Sequence, residues 1–243
     1  MNNYIHTYYP IFRYFSTHLG KPLEWWEDKR VLDFGGNCGN TLRDPTCTIQ
    51  HQNYHCLDIS KVALEIGKQD FPDANWHHYN RFNVTYNYTG NKNEPFPVFD
   101  NLFDVILIYS VFTSTSKEEM CRTVNEELLP LLKPGGILMN TYLSLDSPWP
   151  FSIFLRKKLY NNSKLMSAVR EKAEGKDYFY LAGADTILST EEELLSSNQE
   201  WILSFYKDDV IQQLFPKCEI KPFLLEPAGL QTDLIHHCII MRT

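Results

Sequence analysis

Apolar residues recur along this chain at two spacings. Short apolar runs bounded by turn residues lie at 30–34 (RVLDF), 54–57 (YHCL, ending at Asp58), 75–79 (NWHHY), 103–109 (FDVILIY) and 137–143, and each predicts a buried strand. Between them the spacing becomes helical. Residues 60–70 (SKVALEIGKQD) follow a serine able to cap them, and residues 117–132 end at KPGG, 133–136, where glycine supplies a left-handed cap and proline prevents continuation. At the amino end, Tyr4, Ile5, Tyr8, Tyr9, Ile11, Phe12, Phe15 and Leu19 suit an amphipathic helix started or broken at Pro10 and stopped by Gly20 and Pro22. A helix is expected over 207–215, then strands near 219–225 and 235–241, paired antiparallel through a turn at Pro227, Ala228 and Gly229.

Strand and helix alternating at this rhythm predict an α/β fold, a mostly parallel sheet with helices on both faces and an antiparallel last strand. The rhythm stops after residue 143. Trp149, Phe151, Phe154, Tyr160, Tyr178, Phe179 and Tyr180 mark an aromatic stretch without strand periodicity, expected to be a helical lid or insertion. A length of 243 residues with 43% hydrophobic content supports one elaborated domain. Its parts are an N-terminal helical cover (1–27), the core (28–143), the insertion (144–206) and a C-terminal helix and strand pair (207–243).

Charge narrows the partners. The formal net charge is −7, so the surface lacks the field that draws in a phosphate backbone, and nucleic acid is not expected. Arg156, Lys157 and Lys158 form the compact basic cluster and read as a solvated helix face. No apolar run approaches the length that crosses a bilayer, and no leader pattern opens the chain, so a cytoplasmic protein is expected. The cysteines at 38, 47, 56, 121, 218 and 238 form no CxxC or zinc-type cluster and read as reduced thiols. The sequons at Asn83, Asn87 and Asn161 would matter only in a secreted protein.

The first strand runs into VLDFGGNCGN, residues 31–40. In an open parallel sheet ligands bind beyond the carboxyl ends of the strands. Gly35 and Gly36 allow a sharp turn and a close backbone approach, and the helix expected next would offer free N–H groups. Asn37 interrupts a dinucleotide GxGxxG pattern, and no GK[ST] follows. Asp33 before the loop and Asp58 at the second strand's end, placed to accept both hydroxyls of a ribose, point to a nucleotide-like ligand.

With DFGGNCG at 33–39, LDIS at 57–60, FDVILIYSVFT at 103–113 and LLPLLKPGGIL at 128–138, the chain resembles the class I methyltransferases dependent on S-adenosylmethionine (SAM) over residues 28–143. The resemblance implies a Rossmann-like fold, SAM as cofactor and S-adenosylhomocysteine as its product. It implies that Asp33 fixes the loop and the amino end of the methionine part, and that Gly35, Gly36 and Gly39, with Asn37 among them, approach the cofactor. Asp58 would hold the ribose and Ile59 would lie against adenine. Asn80, followed by Arg81 and Phe82, stands where the family places an Asp for the adenine amino group. Tyr109 and Ser110 would lie near the methyl group.

Methyl transfer needs a general base only when the acceptor holds a proton that must leave. Many relatives acting on small molecules read SVFTH where this chain reads SVFTS, placing Ser114 at the position of a possible base, and the [DN]PP[YF] motif is missing. A carboxylate on a small molecule or short peptide, giving a methyl ester in the manner of enzymes that tailor ribosomal peptide natural products, or another acceptor that is ionised or held by hydrogen bonds, is therefore expected. Arg13, Arg156 or Arg170 would hold that carboxylate. His6, His77 and His78 are the remaining candidate bases, and Tyr109, Ser110, His78 and Arg13 the candidates for catalysis. No metal is expected. Tyr4, Tyr8 and Tyr9 would cover the cofactor or pack on the sheet, and the aromatics of 149–180 would form an acceptor pocket or the insertion's own core. The alternatives are O- or N-methylation of another metabolite, a non-catalytic SAM-binding protein, and a nicotinamide-dependent oxidoreductase.

Overall fold

A computed structural model of the chain describes residues 11–83, 86–146, 171, 173–182, 186–196, 202–222 and 236–243. The sheet core contains β1 (Val31–Phe34), β2 (Tyr54–Asp58), β3 (Asn75–His78), β4 (Phe103–Ile108) and β5 (Leu132–Ser144), running parallel in the spatial order β3-β2-β1-β4-β5. The chain moves outward from β1 to β3 and then returns to place β4 on the other side of β1. That reversal opens a crevice beyond the carboxyl ends of β1 and β4.

Alternation within the strands supplies both faces. Val31, Val105, Leu107, Ile137 and Met139 pack with α1 (Ile11–Leu19), Trp26 and Leu64 of α2 (Lys61–Asp70). Leu32, Ile106, Ile108 and Leu138 pack on the other face with Met120 of α3 (Lys117–Arg122), Val124 and Leu128. Ser60 caps α2 by accepting a hydrogen bond from the Ala63 N–H, as its position predicts. The N-terminal cover is described only from Ile11 onward; Tyr4, His6, Tyr8 and Tyr9 lie outside the described residues.

Three local expectations are corrected. The segment after the glycine cluster forms turns and no helix up to the 3-10 turn His51–Asn53. The helix expected over 117–132 is α-helical only to Arg122, continues as a π-helix over Thr123–Leu128 and ends as a 3-10 turn at Leu129–Leu131. Pro130 has no N–H to donate, so a regular ladder cannot run through it. KPGG is therefore not a helix cap. It opens β5, with a register irregularity opposite Phe103–Val105, and Gly135 takes φ 76° there while its N–H donates to the Thr243 carbonyl at 3.1 Å.

The antiparallel close is found as expected. After α4 (Glu191–Ser196) and α5 (Asp208–Leu214), β9 (Glu219–Lys221) pairs with β10 (His236–Arg242), which runs antiparallel beside β5. The proposed turn at Pro227–Gly229 lies outside the described residues. The insertion is not purely helical: β6 (Tyr178–Ala182), β7 (Thr186–Leu188) and β8 (Ile202–Tyr206) form an antiparallel set. β8 joins the main sheet through the last residues of β5, Leu143 opposite Phe205 and Ser144 opposite Tyr206. Phe179 and Tyr180 are fully buried in this set, which gives the insertion its own core. Trp149, Phe151, Phe154 and Tyr160 are not among the described residues.

Candidate functional site

A crevice of about 430 Å³ opens at the ends of β1, β2 and β4. Asp33, Gly35, Gly36, Asn37, Asp58, Ile59, Tyr109 and Ser110 line it, so most of the residues singled out from sequence converge there. Gly35 has φ 76°, and a Cβ on it would lie 2.2 Å from Val111 Cγ2, so both conformation and space demand glycine. The Gly35 N–H donates to the Leu57 carbonyl at 2.7 Å, tying the loop to the end of β2.

The two carboxylates differ in their work. Asp33 is buried, and its Oδ2 accepts from the Thr41 hydroxyl at 2.6 Å and the Tyr54 hydroxyl at 2.5 Å. Burial pushes its pKa up to about 6 against those donors. These contacts tie the end of β1 to Thr41 beyond the glycine loop and to Tyr54 of β2. Asp58 accepts from the Asn37 N–H (2.8 Å) and the Ser60 N–H (2.7 Å), bracing the glycine loop against the start of α2, and burial also raises its pKa. Because no helix follows the loop, main-chain N–H groups here are oriented by Asp58 and not by a helix start.

Among the described residues that line the crevice there is no Lys or Arg, while the carboxylates of Asp33 and Asp58 both line it. A ligand carrying positive charge suits such a site better than an anion. The Asn37 Oδ1 and the Tyr79 hydroxyl, both in this lining, are buried polar atoms with no hydrogen-bond partner among the described residues, and burial pushes Tyr79 up to about 12. Such atoms accept or donate to a bound molecule at little further desolvation cost.

Beyond Ile59, Tyr79 and Val111, an adjoining cavity of about 260 Å³ is walled by Phe34, Phe82, Phe112, Leu194 and Ile202. Ser114 is on this wall, away from Ser110; its carbonyl accepts from the Asn83 side-chain amide.

Several candidates fall elsewhere. Gly39 (φ 79°) packs under Trp76 and Phe71 and makes the loop's turn without reaching the crevice. The Asn80 side-chain oxygen accepts from Asn87 within the loop after β3, and Asn80 lines neither space. Arg81 reaches the cavity wall with its guanidinium bound at both ends by Glu119. His78 Nε2 contacts the Ile59 carbonyl at 3.2 Å, outside the crevice lining. His77 stacks on His55, and burial lowers its pKa. Arg13 gives its main-chain N–H to Asp44 and does not line the crevice. Arg156 and Arg170 lie outside the described residues.

Among the crevice residues that sequence reasoning missed, His236 stands out. His236, the first residue of β10, is 2% exposed and lines the crevice beside Ser110. Its ring stacks on Tyr109 with centroids 5.2 Å apart, and its Nε2 lies 3.2 Å from the Ser110 hydroxyl. Burial lowers its pKa to about 3, so the ring is neutral at ordinary pH. Only the antiparallel placement of β10 beside β5 brings residue 236 to the end of β4. The one legible signal was the pair His236-His237 on a strand, where alternation sends one imidazole to each face.

Residues 32–138 match the family model described as a methyltransferase domain. The chain is 24% identical over 236 residues to an uncharacterized protein of Rickettsia prowazekii (strain Madrid E), covering 90% of this chain and 91% of that one. Similar solved structures include a SAM-dependent methyltransferase from Methanosarcina mazei, with 18% identity over 89% of this chain and 93% of that chain and a TM-score of 0.50. Another, from Mesorhizobium loti, has 13% identity, covers 96% and 98%, and has a TM-score of 0.52. A third is the 1,6-didemethyltoxoflavin-N1-methyltransferase of Burkholderia thailandensis, solved with 1,6-didemethyltoxoflavin and S-adenosylhomocysteine, with 12% identity, coverage of 97% and 77%, and a TM-score of 0.54. At these identities the likeness is one of fold.

Proposed function

We propose that this chain is a class I SAM-dependent methyltransferase whose crevice transfers the methyl group of SAM to a small-molecule or short-peptide acceptor, a reading supported by the match of residues 32–138 to a methyltransferase-domain model and by the shared fold. The observation that carries the reading is the junction of Asp58 with the glycine loop at the reversal point of the sheet. Asp58 and Asn37 would hold the ribose end, and the apolar walls beyond Ile59, with Tyr79 and Phe82, would take the adenine. Gly35, Gly36 and a lining that carries Asp33 and Asp58 and, among its described residues, no Lys or Arg suit the methionine part with its sulfonium and ammonium charges. When bound, SAM supplies an activated methyl group; the protein's contribution is alignment and exclusion of water, and alignment alone is worth up to about 7–11 kcal/mol in well-oriented reactions.

The acceptor would enter at the Tyr109, Ser110 and His236 end, where Ile11 of α1 and Tyr86 complete the wall. The carboxylate expectation rests on Ser114, but this end of the crevice carries His236 and, among its described residues, no cationic clamp. That balance favours an acceptor other than a carboxylate. All six cysteines are free, and a reducing, cytoplasmic setting belongs to the proposal. No described helix is long and apolar enough to cross a membrane, and no cluster of three or more potential metal ligands is found among the described residues.

Calorimetry with SAM, S-adenosylhomocysteine and NAD tests the reading. Binding of both adenosyl sulfur compounds without NAD is expected; binding of NAD alone would remove it. Asp58→Ala is expected to weaken SAM at least tenfold, about 1.4 kcal/mol. A mass-spectrometric screen of metabolites and short peptides identifies the acceptor, and mild base separates methyl esters, which hydrolyse, from ethers and N-methyl products, which do not.

A further inference from the structure

We infer that His236 selects the acceptor: its Nδ1 receives a hydrogen bond from a protic nucleophile, a hydroxyl or a neutral N–H, at the methyl-receiving end of the crevice. The inference rests on the proposed function and follows from the hydrogen-bond chain around Ser110. The Thr113 hydroxyl donates to the Ser110 carbonyl at 2.8 Å, an acceptor only, and so its one proton is committed. The contact between the Ser110 and Thr113 hydroxyls, 3.1 Å, must then use the Ser110 proton. The Ser110 oxygen is left to accept, so His236 Nε2, 3.2 Å away, carries the imidazole proton. A neutral ring protonated at Nε2 has a lone pair at Nδ1. That atom is buried without a hydrogen-bond partner among the described residues.

The rest of the surroundings hold this arrangement in place. The Ser110 N–H donates to the Thr141 hydroxyl at 2.8 Å, which keeps Ser110 at φ 57°, a left-handed conformation uncommon for residues other than glycine. The Tyr14 hydroxyl donates to the His236 carbonyl at 3.3 Å, and Tyr109 covers the imidazole face. Strain at Ser110 is thus tied to the orientation of one ring nitrogen. A carboxylate has no proton to offer this lone pair and would set negative charge against it, while a hydroxyl or N–H satisfies it. In the transfer, the acceptor's lone pair would form the new bond to carbon, the C–S electron pair would stay on sulfur, and the acceptor's proton would pass to Nδ1, giving an imidazolium that returns to the neutral ring when it gives up that proton as product leaves.

The test uses the full chain labelled with ¹⁵N-histidine. Nuclear magnetic resonance at neutral pH is expected to show His236 neutral with hydrogen on Nε2. Phenol and aniline, added to the complex with S-adenosylhomocysteine, are expected to shift the Nδ1 resonance; anisole and benzoate are not, and His236→Phe, which keeps a ring on Tyr109, removes the signal. Hydrogen on Nδ1, a response to benzoate equal to that of phenol, or no response to either donor overturns the inference. Failure of the wild-type protein to bind S-adenosylhomocysteine in calorimetry defeats the proposed function instead, and the two failures are read separately.

Discussion

At the residue scale, conformational strain marks the crevice. Among the described non-glycine residues, only Asn37 and Ser110 have positive φ, at 56° and 57°, and both line it. Each is held there by a directed contact, Asn37 through its N–H on Asp58 and Ser110 through its N–H on Thr141. Asp33 adds an electrostatic cost. Its pKa in the folded chain, about 6, lies above the ordinary value of 3.8, so between these values the folded state holds a proton that the unfolded state has lost. Stability contributed by protonated Asp33 is therefore complete below about pH 4 and is lost as pH rises through 6. Asp33→Asn keeps an acceptor for Thr41 and Tyr54 without the charge. The wild type is expected to lose up to about 3 kcal/mol relative to this variant between pH 4 and 7, measured by urea unfolding at each pH. Comparing the two proteins cancels the opposite trend from His55 and His236, whose lowered values make folding less favourable in acid.

At the scale of elements, the insertion and the helix that follows it are fastened to the core by a few polar contacts. Asp208 at the start of α5 accepts from Tyr142 (2.6 Å) and Ser144 (2.6 Å) of β5 and contacts His237 Nδ1 of β10 at 3.0 Å. Burial works against its charge, but these three donors hold its pKa below the usual carboxylate range. The Tyr180 hydroxyl of β6 accepts from the Lys117 N–H at the start of α3, and the Ser204 hydroxyl of β8 donates to the Thr115 carbonyl. The inserted strands thus brace the loop that follows β4, which bears Ser110. Asp208→Ala strands buried donors at about 1–3 kcal/mol each, so a fall of several kcal/mol in unfolding free energy is expected. Unchanged denaturation midpoints would show that β8 docking through Leu143 and Ser144 suffices without this carboxylate.

At the scale of the whole molecule, the crevice is assembled from distant stretches of chain: the loop after β1, the end of β2, the end of β4 and the first residue of β10. A ligand there joins elements from both halves of the sequence and stabilises the folded state by mass action. S-adenosylhomocysteine at 100 times its dissociation constant is expected to add about 2.7 kcal/mol. For a domain of this size that corresponds to a rise in melting temperature of roughly 5–10 °C. Differential scanning fluorimetry checks it, with NAD as the comparison expected to leave the transition in place.

Period-two and helical patterns, read in one dimension, were enough to locate the core strands, the cap at Ser60 and the closing antiparallel pair, because burial of apolar residues imposes those spacings directly. Glycine at position 35 and the carboxylates at 33 and 58 were legible for the same local reason: a turn excludes a Cβ, and a strand end presents a side chain to the crevice. The missing helix after the glycine loop, the π-helical continuation of α3 and the strands of the insertion were not legible, since each depends on what packs alongside. Asn80, Arg81 and Gly39 were assigned by order along the chain, yet their side chains or turns are engaged within loops and neighbouring packing. His236 entered the site only because β10 runs antiparallel beside β5 and brings position 236 to the end of β4. Proximity across more than 120 residues comes from strand pairing, and no local pattern of apolar and polar residues encodes which strand end meets which.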